Sequence, residues 1–596
     1  MMAKIVILGG GYAGIEAGLT LHRRLRGRRD VEITLIDANP FHTLLTELHE
    51  VAGARVREQA VKVPLQLIFQ YTRVRLVQDY ITEFDFEHKV VRSQQREYDY
   101  DYLVIALGSE PTFYGIEGMQ EHAFSLWSLD DALRIRNHIT RMVATAARTP
   151  DPLKRRKYLT FVVGGGGFTG VEMIGELILW RRRLSQEYNI PLSEIRLVLV
   201  EALDAILPHI DAKLADKVLA YLDAHHVQVF TGQRITAVEP DRITLGDNLE
   251  IETKTLIWAG GVMANQVVQN SGLPQRGRGR LQVNQYLQVE GYPEVFAAGD
   301  NCGLTWEEEG RQVLMPALVE SALATGKTAA TNIIASLAGK PLRPSRPKYH
   351  GLMVSVGRWW GVADIMGLRL VGFLAIAIKH LVNLHYLFGI GGFELIFGYL
   401  HHEFFGMRED YHSTPERQFT RQRPLFFLVP LRLYLGYMWL QEGITKLADG
   451  WWHTVMLGES VMTELGGPAF TVDTTSGATL LELVGPNTPS WYQWFVEGVI
   501  YPNSLLFQRL VVITEIGLGL AFLLGFMTIV AAIVSIAMNI NFLLSTGLHD
   551  YWWIFASIAM LAGAGDVFGL DYFFIPYLMR QWRYLVRNRR INPFLR

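Results

Sequence analysis

Short apolar runs alternate with amphipathic stretches through the first 300 residues, the pattern of parallel strands crossed by helices. Ala3–Leu8 reads as a buried strand, roughly Ala13–Leu25 as a helix, and Val31–Ile36 as the next strand, closed by Asp37. The same plan returns later: an apolar run Leu159–Val163, a helix from about Gly170 to Arg183, and a strand Arg196–Val200 closed by Glu201. Two more apolar runs fit the same architecture, Tyr102–Leu107 ending at Gly108 and Val295–Ala298 ending at Gly299-Asp300. Beyond about residue 424 the pattern changes. Four apolar segments follow, roughly Leu425–Leu447, Ser504–Leu524, Phe526–Leu544 and Tyr551–Leu570. Each approaches the ~20 residues a helix needs to cross about 30 Å of hydrocarbon. Between the two parts, Leu368–Gly406 is apolar but interrupted by Lys379, His380 and His385, and it reads as amphipathic helices lying in the interface. A fifth span there would conflict with the orientation derived from charge.

At each strand-to-helix junction sits a glycine fingerprint: Gly9, Gly11 and Gly14 in the first unit, Gly165, Gly167 and Gly170 in the second. Glycines allow the tight turn and let backbone N–H groups approach a pyrophosphate at the helix N-terminus. Asp37, 23 residues past Gly14, and Glu201 are placed to accept from a ribose hydroxyl. An acid there repels a 2′-phosphate, so NADH is expected over NADPH. Two such sites in one chain imply two dinucleotides and electron transfer between them.

Composition narrows the picture. At 596 residues the chain exceeds one hydrophobic core. Its formal net charge of -2 gives no electrostatic case for nucleic acid. Cys302 is the single cysteine, which excludes an internal disulfide and a redox dithiol, and the expectation is a small buried filler. Met1-Met2-Ala3-Lys4 runs straight into a strand, so no signal peptide is expected. Lys and Arg are absent between Lys446 and Arg509 and between Arg509 and Arg580, whereas Arg417–Arg423 and the C-terminal tail are basic. By the positive-inside rule the linker, the nucleotide-binding domains and the C-terminus are cytoplasmic, in a multi-pass cell-membrane protein. Ala448–Asn503 would then be an outside loop.

The two fingerprints with the strands ending at Gly108 and Gly299-Asp300 resemble the flavoprotein disulfide-reductase superfamily. That resemblance implies FAD at the first fingerprint, NAD(H) at the second, inserted one, and Asp300 on the ribityl chain of FAD. A helix starting near Pro316 would face the flavin's anionic edge. Phe41-His42 through Leu48-His49-Glu50-Val51-Ala52, Gly165–Glu172, Trp258–Val262, Val354–Arg358 and Lys379-His380-Leu381 resemble the type II NADH dehydrogenases over residues 1 to about 405. One departure stands out: where that family carries Ala-Gln-x-Ala-x-Gln beside the quinone, this chain has Val319-Glu320-Ser321-Ala322-Leu323-Ala324, without either glutamine. The tail, about 425–580, resembles the DoxX family of four-helix membrane proteins. Such a tail on a nucleotide-binding flavoenzyme also resembles the membrane-spanning dehydrogenase of flavin-based extracellular electron transfer, which implies a menaquinone-type acceptor.

The expected fold is therefore α/β: two Rossmann-like nucleotide-binding domains, for FAD (1–115 with 270–345) and NADH (116–269). Amphipathic helices and a linker (346–423) and a four-helix transmembrane domain (424–596) follow. The expected activity is non-pumping NADH:quinone oxidoreduction, with NADH, a membrane quinone, the bilayer and a second copy of the chain as partners. Oxygen or a protein as acceptor, and a nucleotide-binding scaffold or sensor without turnover, are the alternatives. Three residues carry expected catalytic roles. Glu172, on the first turn of the second fingerprint helix, orients nicotinamide or relays protons. Glu320 donates a proton at the acceptor site, and Lys379 polarises a quinone carbonyl. His380, His385, His401 and His402 have no metal-ligand spacing, and no metal is assigned. Glu442 with Lys446, Arg509, Glu515, Asn539, Asn541 and Asp566 lie within the apolar tail, as helix-to-helix contacts or as a second polar pocket.

Overall fold

The computed structural model describes residues 2–246, 248–308, 310–400, 402–403, 425–457, 471–472, 479–481, 483–485, 488–545 and 551–588. The linker Arg417–Arg423, His401, much of the expected outside loop and the last arginines lie outside the described residues. The chain forms two compact units, Met1–Thr420 with Arg583–Arg596, and Arg421–Trp582.

The first unit is built on two open, twisted sheets. One runs in the order Gln288–Val289, Tyr292–Ala297, Tyr102–Ile105, Ala3–Leu8, Val31–Asp37, Val74–Gln78, parallel apart from the first pair. The second, all parallel, runs Phe124–Ser125, Thr255–Trp258, Thr160–Gly164, Arg196–Val200, Val227–Phe230. Their central strands are buried on both faces, as continuous apolar runs require. In each sheet the fingerprint strand lies at the centre, with Ile7 opposite Leu35 and Val104, and Gly164 opposite Val200 and Trp258. The fingerprint turns therefore open at the carboxyl ends of the strands, the switch point where open α/β sheets bind ligands.

The helix expected near Pro316 runs Val319–Leu337 and lies against the first fingerprint helix, Tyr12–Arg24. Gly326 permits that approach, since a Cβ there would sit 2.2 Å from the Ala13 carbonyl oxygen. A three-stranded antiparallel sheet, Gly351–Ser355, Gly361–Ile365 and Leu368–Val371, then leads through Gly372 into the helix Phe373–Gly391. The amphipathic region thus begins as a strand, because Leu368 pairs with Ile365 before Gly372, at φ +75°, turns the chain.

In the second unit Val429–Ala448 packs on Ser504–Leu524. Small residues set the distance: a Cβ on Gly519 would lie 2.6 Å from the Leu440 nitrogen, and one on Gly436 2.8 Å from that of Leu523. Lys446 bridges Glu442 at 3.2 Å and the buried Glu515 at 3.0 Å. Trp439 Nε1 donates to Ser535 Oγ at 3.0 Å, which meets Ser557 Oγ at 2.7 Å. The fourth expected segment departs from a spanning helix. Trp552–Met560 has nine residues, about 14 Å at 1.5 Å per residue. Gly563, at φ +88°, turns the chain. The carbonyls of Ala564, Val567 and Phe568 then take hydrogen bonds of 2.6 to 2.9 Å from the Arg432 guanidinium instead of continuing a ladder. Among the described residues three helices are long and apolar enough to cross a membrane: Phe373–Gly391, Ser490–Leu524 and Thr528–Ser545. The expected count of four crossings does not follow from the helices themselves.

Candidate active site

The two fingerprints are built alike. Each helix begins at a glycine in extended conformation, Gly11 or Gly167, with no side-chain cap, so its first backbone N–H groups stay available to an anion. A Cβ on Gly11 or Gly167 would meet nothing within 4 Å, which leaves an open cradle above the turn. A Cβ on Gly14 would lie 1.9 Å from the Gly9 carbonyl oxygen, and one on Gly170 1.8 Å from that of Gly165. These third glycines press helix onto strand. The acids close each loop in matching fashion. Asp37 accepts from Gly10 N at 2.5 Å and Asn39 N at 2.7 Å, and Glu201 from Gly166 N at 2.5 Å and Leu203 N at 2.8 Å. A carboxylate has about four lone-pair sites, so each retains capacity for a ribose hydroxyl. Both cradles fit a dinucleotide.

Gly108, Gly299 and Asp300 come together beside the first cradle. Asn301 clamps Gly108, accepting from its N–H at 3.0 Å and donating to its carbonyl at 2.6 Å. Ser109 Oγ donates to Asp300 at 2.6 Å, and Gly299 N donates to Thr325 Oγ1 at 2.9 Å. Cys302 is buried next to them, and burial pushes its thiol up to about 12.

Glu172 and Lys379, 207 positions apart in sequence, meet at one hydroxyl. Ser355 Oγ donates to Glu172 at 3.0 Å and accepts from Lys379 Nζ at 3.2 Å. His49 completes the group, 3.4 Å from Ser355 Oγ and 3.6 Å from Glu172. Around them lies a buried charge cluster. Lys379 Nζ is 3.1 Å from Glu47 and 3.4 Å from Glu50. Arg55 pairs with Glu50 and Glu403 and makes bonds of 3.0 and 3.1 Å to Glu176. Glu176 lies one turn beyond Glu172 on the same helix face. His42 links the helix Phe373–Gly391 to the first cradle: Nδ1 donates to the Gly10 carbonyl at 3.2 Å and Nε2 accepts from Tyr386 at 3.0 Å. Burial pushes His42 down to about 4, so it is neutral there.

Burial also raises Glu172, and it raises Glu176 to about 7 against the opposing pull of Arg55. Glu50 is held well below the carboxylate range because Arg55 and Lys379 outweigh its burial. A carboxyl raised in the folded state is protonated there while the unfolded chain is ionised, so stability is full below about pH 4.5 and falls as pH rises through 7. For this fully buried carboxyl the effect is worth at most ~3.5 kcal/mol. Glu176→Gln should flatten the fall in melting temperature between pH 5 and 8; an unchanged slope would show that Glu176 ionises freely.

Glu320 stands apart from this cluster. Its carboxylate takes His350 Nδ1 at 2.8 Å and His350 N at 3.2 Å. The strand Gly351–Ser355 separates it from Ser355, about 17 Å of extended chain. Glu47, Arg55, Glu176, Ser355, Asn383 and Glu403 belong to the cluster without having been singled out as site residues. The available signals were the i,i+4 spacing of Glu172 and Glu176 and the charges within apolar stretches. Glu47, His49 and Glu50 bring three ligand atoms within 4.8 Å of one another, but Lys379 already lies among them.

The profile of the pyridine nucleotide-disulphide oxidoreductase family matches residues 3–326, and that of the TQO small subunit DoxD matches residues 474–587. The type II NADH:quinone oxidoreductase of Staphylococcus aureus is 30% identical over 397 residues, which span 66% of this chain and 97% of that protein. The chain belongs to the type II NADH:quinone oxidoreductase family. The structure of NDH2 from Plasmodium falciparum in complex with NADH covers 68% of the chain and 99% of its own, with a TM-score of 0.61 at 18% identity. The sulfide:quinone oxidoreductase of Aquifex aeolicus aligns over 65% and 91% with a TM-score of 0.54 at 18% identity. These two share the fold. The DoxD match sits on the tail in which a DoxX-like domain is expected.

Proposed function

We propose that this protein is a membrane-attached, FAD-dependent NADH:quinone oxidoreductase that does not pump protons. The observation that carries the reading is the meeting of Glu172 and Lys379 at Ser355, within a chain that has two open dinucleotide cradles. Gly9, Gly11, Gly14 and Asp37 hold FAD together with Gly108, Gly299 and Asp300, in a domain of residues 1–115 and 270–345. Gly165, Gly167, Gly170 and Glu201 hold NADH in residues 116–269. When bound, the flavin supplies two-electron chemistry between a soluble donor and a lipid-soluble acceptor.

The chain's own residues provide position and protons. Glu172 has a raised pKa from burial, orients nicotinamide and exchanges protons with Ser355. Lys379 presents an ammonium donor to the acceptor oxygen as negative charge develops there. Glu320 closes the N-terminal end of the flavin-facing helix Val319–Leu337 onto His350. It replaces an amide in the family pattern, and its carboxylate is engaged by His350. The acceptor is of the menaquinone type. The protein crosses the cell membrane more than once with its nucleotide domains and C-terminus cytoplasmic, and a homodimer is the expected assembly. Exposed apolar side chains along Ser504–Leu524 and Thr528–Ser545, among them Leu510, Ile513, Leu520, Ile529 and Ile533, support lipid contact.

The test is steady-state NADH oxidation by detergent-solubilised protein with a soluble menaquinone analogue, in parallel with oxygen uptake. Quinol formation matching NADH consumed supports the reading; consumption accounted for by oxygen alone favours an oxidase. Donor choice is a separate prediction. Glu201→Arg removes the acid that repels a 2′-phosphate and should shift kcat/KM toward NADPH by about tenfold or more. Unchanged selectivity would remove Glu201 from the ribose site.

A further inference from the structure

The buried cluster holds more acid than fixed positive charge. Glu47, Glu50, Glu172, Glu176 and Glu403 surround two permanent cations, Arg55 and Lys379. Five ionised carboxylates in that volume would leave uncompensated buried charge, which proteins relieve by protonation. The arrangement locates one of these protons. Arg55 is committed to Glu50, Glu176 and Glu403 and makes no such contact with Glu47. Glu47 is 2% exposed. Its Oε1 accepts from Asn383 Nδ2 at 2.9 Å. Its Oε2 lies 3.1 Å from Lys379 Nζ, yet no donor is directed at it. Oxygens of the Glu47 and Glu50 carboxyls lie within 4.8 Å of each other and share the Lys379 ammonium, too close for two buried carboxylates to stay ionised together.

We propose that Glu47 and Glu50 form a carboxyl dyad sharing one proton, and that this proton reaches the acceptor through Lys379. The proposal rests on the reading that the acceptor is a quinone, which takes up two protons with its two electrons. One proton accompanies the electron pair from the reduced flavin. For the other, an N–H bond of Lys379 breaks as the quinone oxygen is protonated. The O–H bond of Glu47 then breaks to restore the ammonium, and the doubly ionised dyad is refilled from water. The ionised member is Glu50, held so by Arg55 and Lys379, and the protonated member is Glu47, raised by burial and by Glu50. Tyr399 leads outward from Asn383: its hydroxyl accepts from Asn383 at 3.1 Å and meets His380 Nδ1 at 2.7 Å. The other titratable groups facing the dyad are His49 beside it, Tyr12 on the first fingerprint helix, Glu172 and Glu176 on the second, and Glu403. Glu47 and Glu50 act through Lys379 and are positioning residues.

The test uses the full-length holoenzyme and two readouts. Infrared difference spectra, oxidised against NADH-reduced and then reoxidised with a menaquinone analogue, should contain a carboxylic-acid C=O band that shifts in D2O and is lost in Glu47→Gln. The rate of flavin reoxidation should change little with pH from 6 to 8 in the wild type. In Glu47→Gln, where the proton must come from solvent, it should fall about tenfold per pH unit, and Glu47→Asp should restore the flatter profile. A band that persists in Glu47→Gln, or identical pH profiles, overturns the dyad. If Glu47→Gln does not accumulate, Asn383→Leu removes the amide donor to Glu47 and should move the band; an unmoved band overturns the proposal. Absence of flavin bleaching by NADH in the wild type would instead defeat the functional reading, so the two failures are distinct.

Discussion

Lys379→Met is expected to leave flavin reduction by NADH near the wild-type rate while slowing reoxidation by quinone by about 10²-fold or more, the usual contribution of a positioned proton donor. The side chain stands between Glu47, Glu50 and Ser355 and reaches Glu172, on the second fingerprint helix, through the Ser355 hydroxyl. Its loss should divide the two half-reactions cleanly. The variant should also be less stable. Removing one partner of a buried ion pair leaves carboxylates without their cation, a loss of about 3 kcal/mol or more where they stay ionised. Protonation of Glu47 or Glu172 offsets part of this, so the melting temperature should recover as pH falls. The measurement is stopped-flow absorbance on each half-reaction. Equal slowing of both would place Lys379 outside the acceptor site.

A valine at either third glycine should have the largest effect on cofactor content. Gly14→Val puts a side chain where a bare Cβ already lies 1.9 Å from the Gly9 carbonyl oxygen. The helix Tyr12–Arg24 cannot then seat on its strand, and the purified protein should be colourless. Gly170→Val places a Cβ 1.8 Å from the Gly165 carbonyl oxygen. That variant should keep its flavin and lose rapid bleaching by NADH. The contrast separates assignment of the two cradles from general misfolding. Flavin loss from Gly170→Val with retention in Gly14→Val would exchange the assignments.

Local patterns made much of this architecture readable. A strand, a glycine turn, a helix and a strand closed by an acid fall within about 40 residues, so Gly9–Asp37 and Gly165–Glu201 could be placed without tertiary information. Glu172 inherits its place from its distance to Gly170. The acceptor side was less legible because its contacts are long-range. Ser355 lies 183 positions from Glu172 and 24 from Lys379, and Arg55 reaches Glu403 across 348. A serine at the end of a strand has no local mark that it will join a carboxylate to an ammonium. Glu47 is one charge in a mixed stretch until the fold encloses it. Glu320 went the other way: its position at the start of a helix was legible, but its partner His350 lies on a strap that the hydrophobic pattern does not show. In the tail, apolar content marked the helices correctly up to Ser545. It misplaced the end of the last segment, where Gly563 and the Arg432 guanidinium turn the backbone.

In the proposed function, electrons pass from a nicotinamide at the second cradle, through a flavin at the first, to a quinone beside Lys379. Sequential-mixing stopped flow tests it most directly. Anaerobic NADH should bleach the flavin band within the mixing experiment, and a menaquinone analogue added next should restore it in a single turnover, with one quinol formed per flavin. Bleaching that oxygen reverses but the quinone does not would contradict the account.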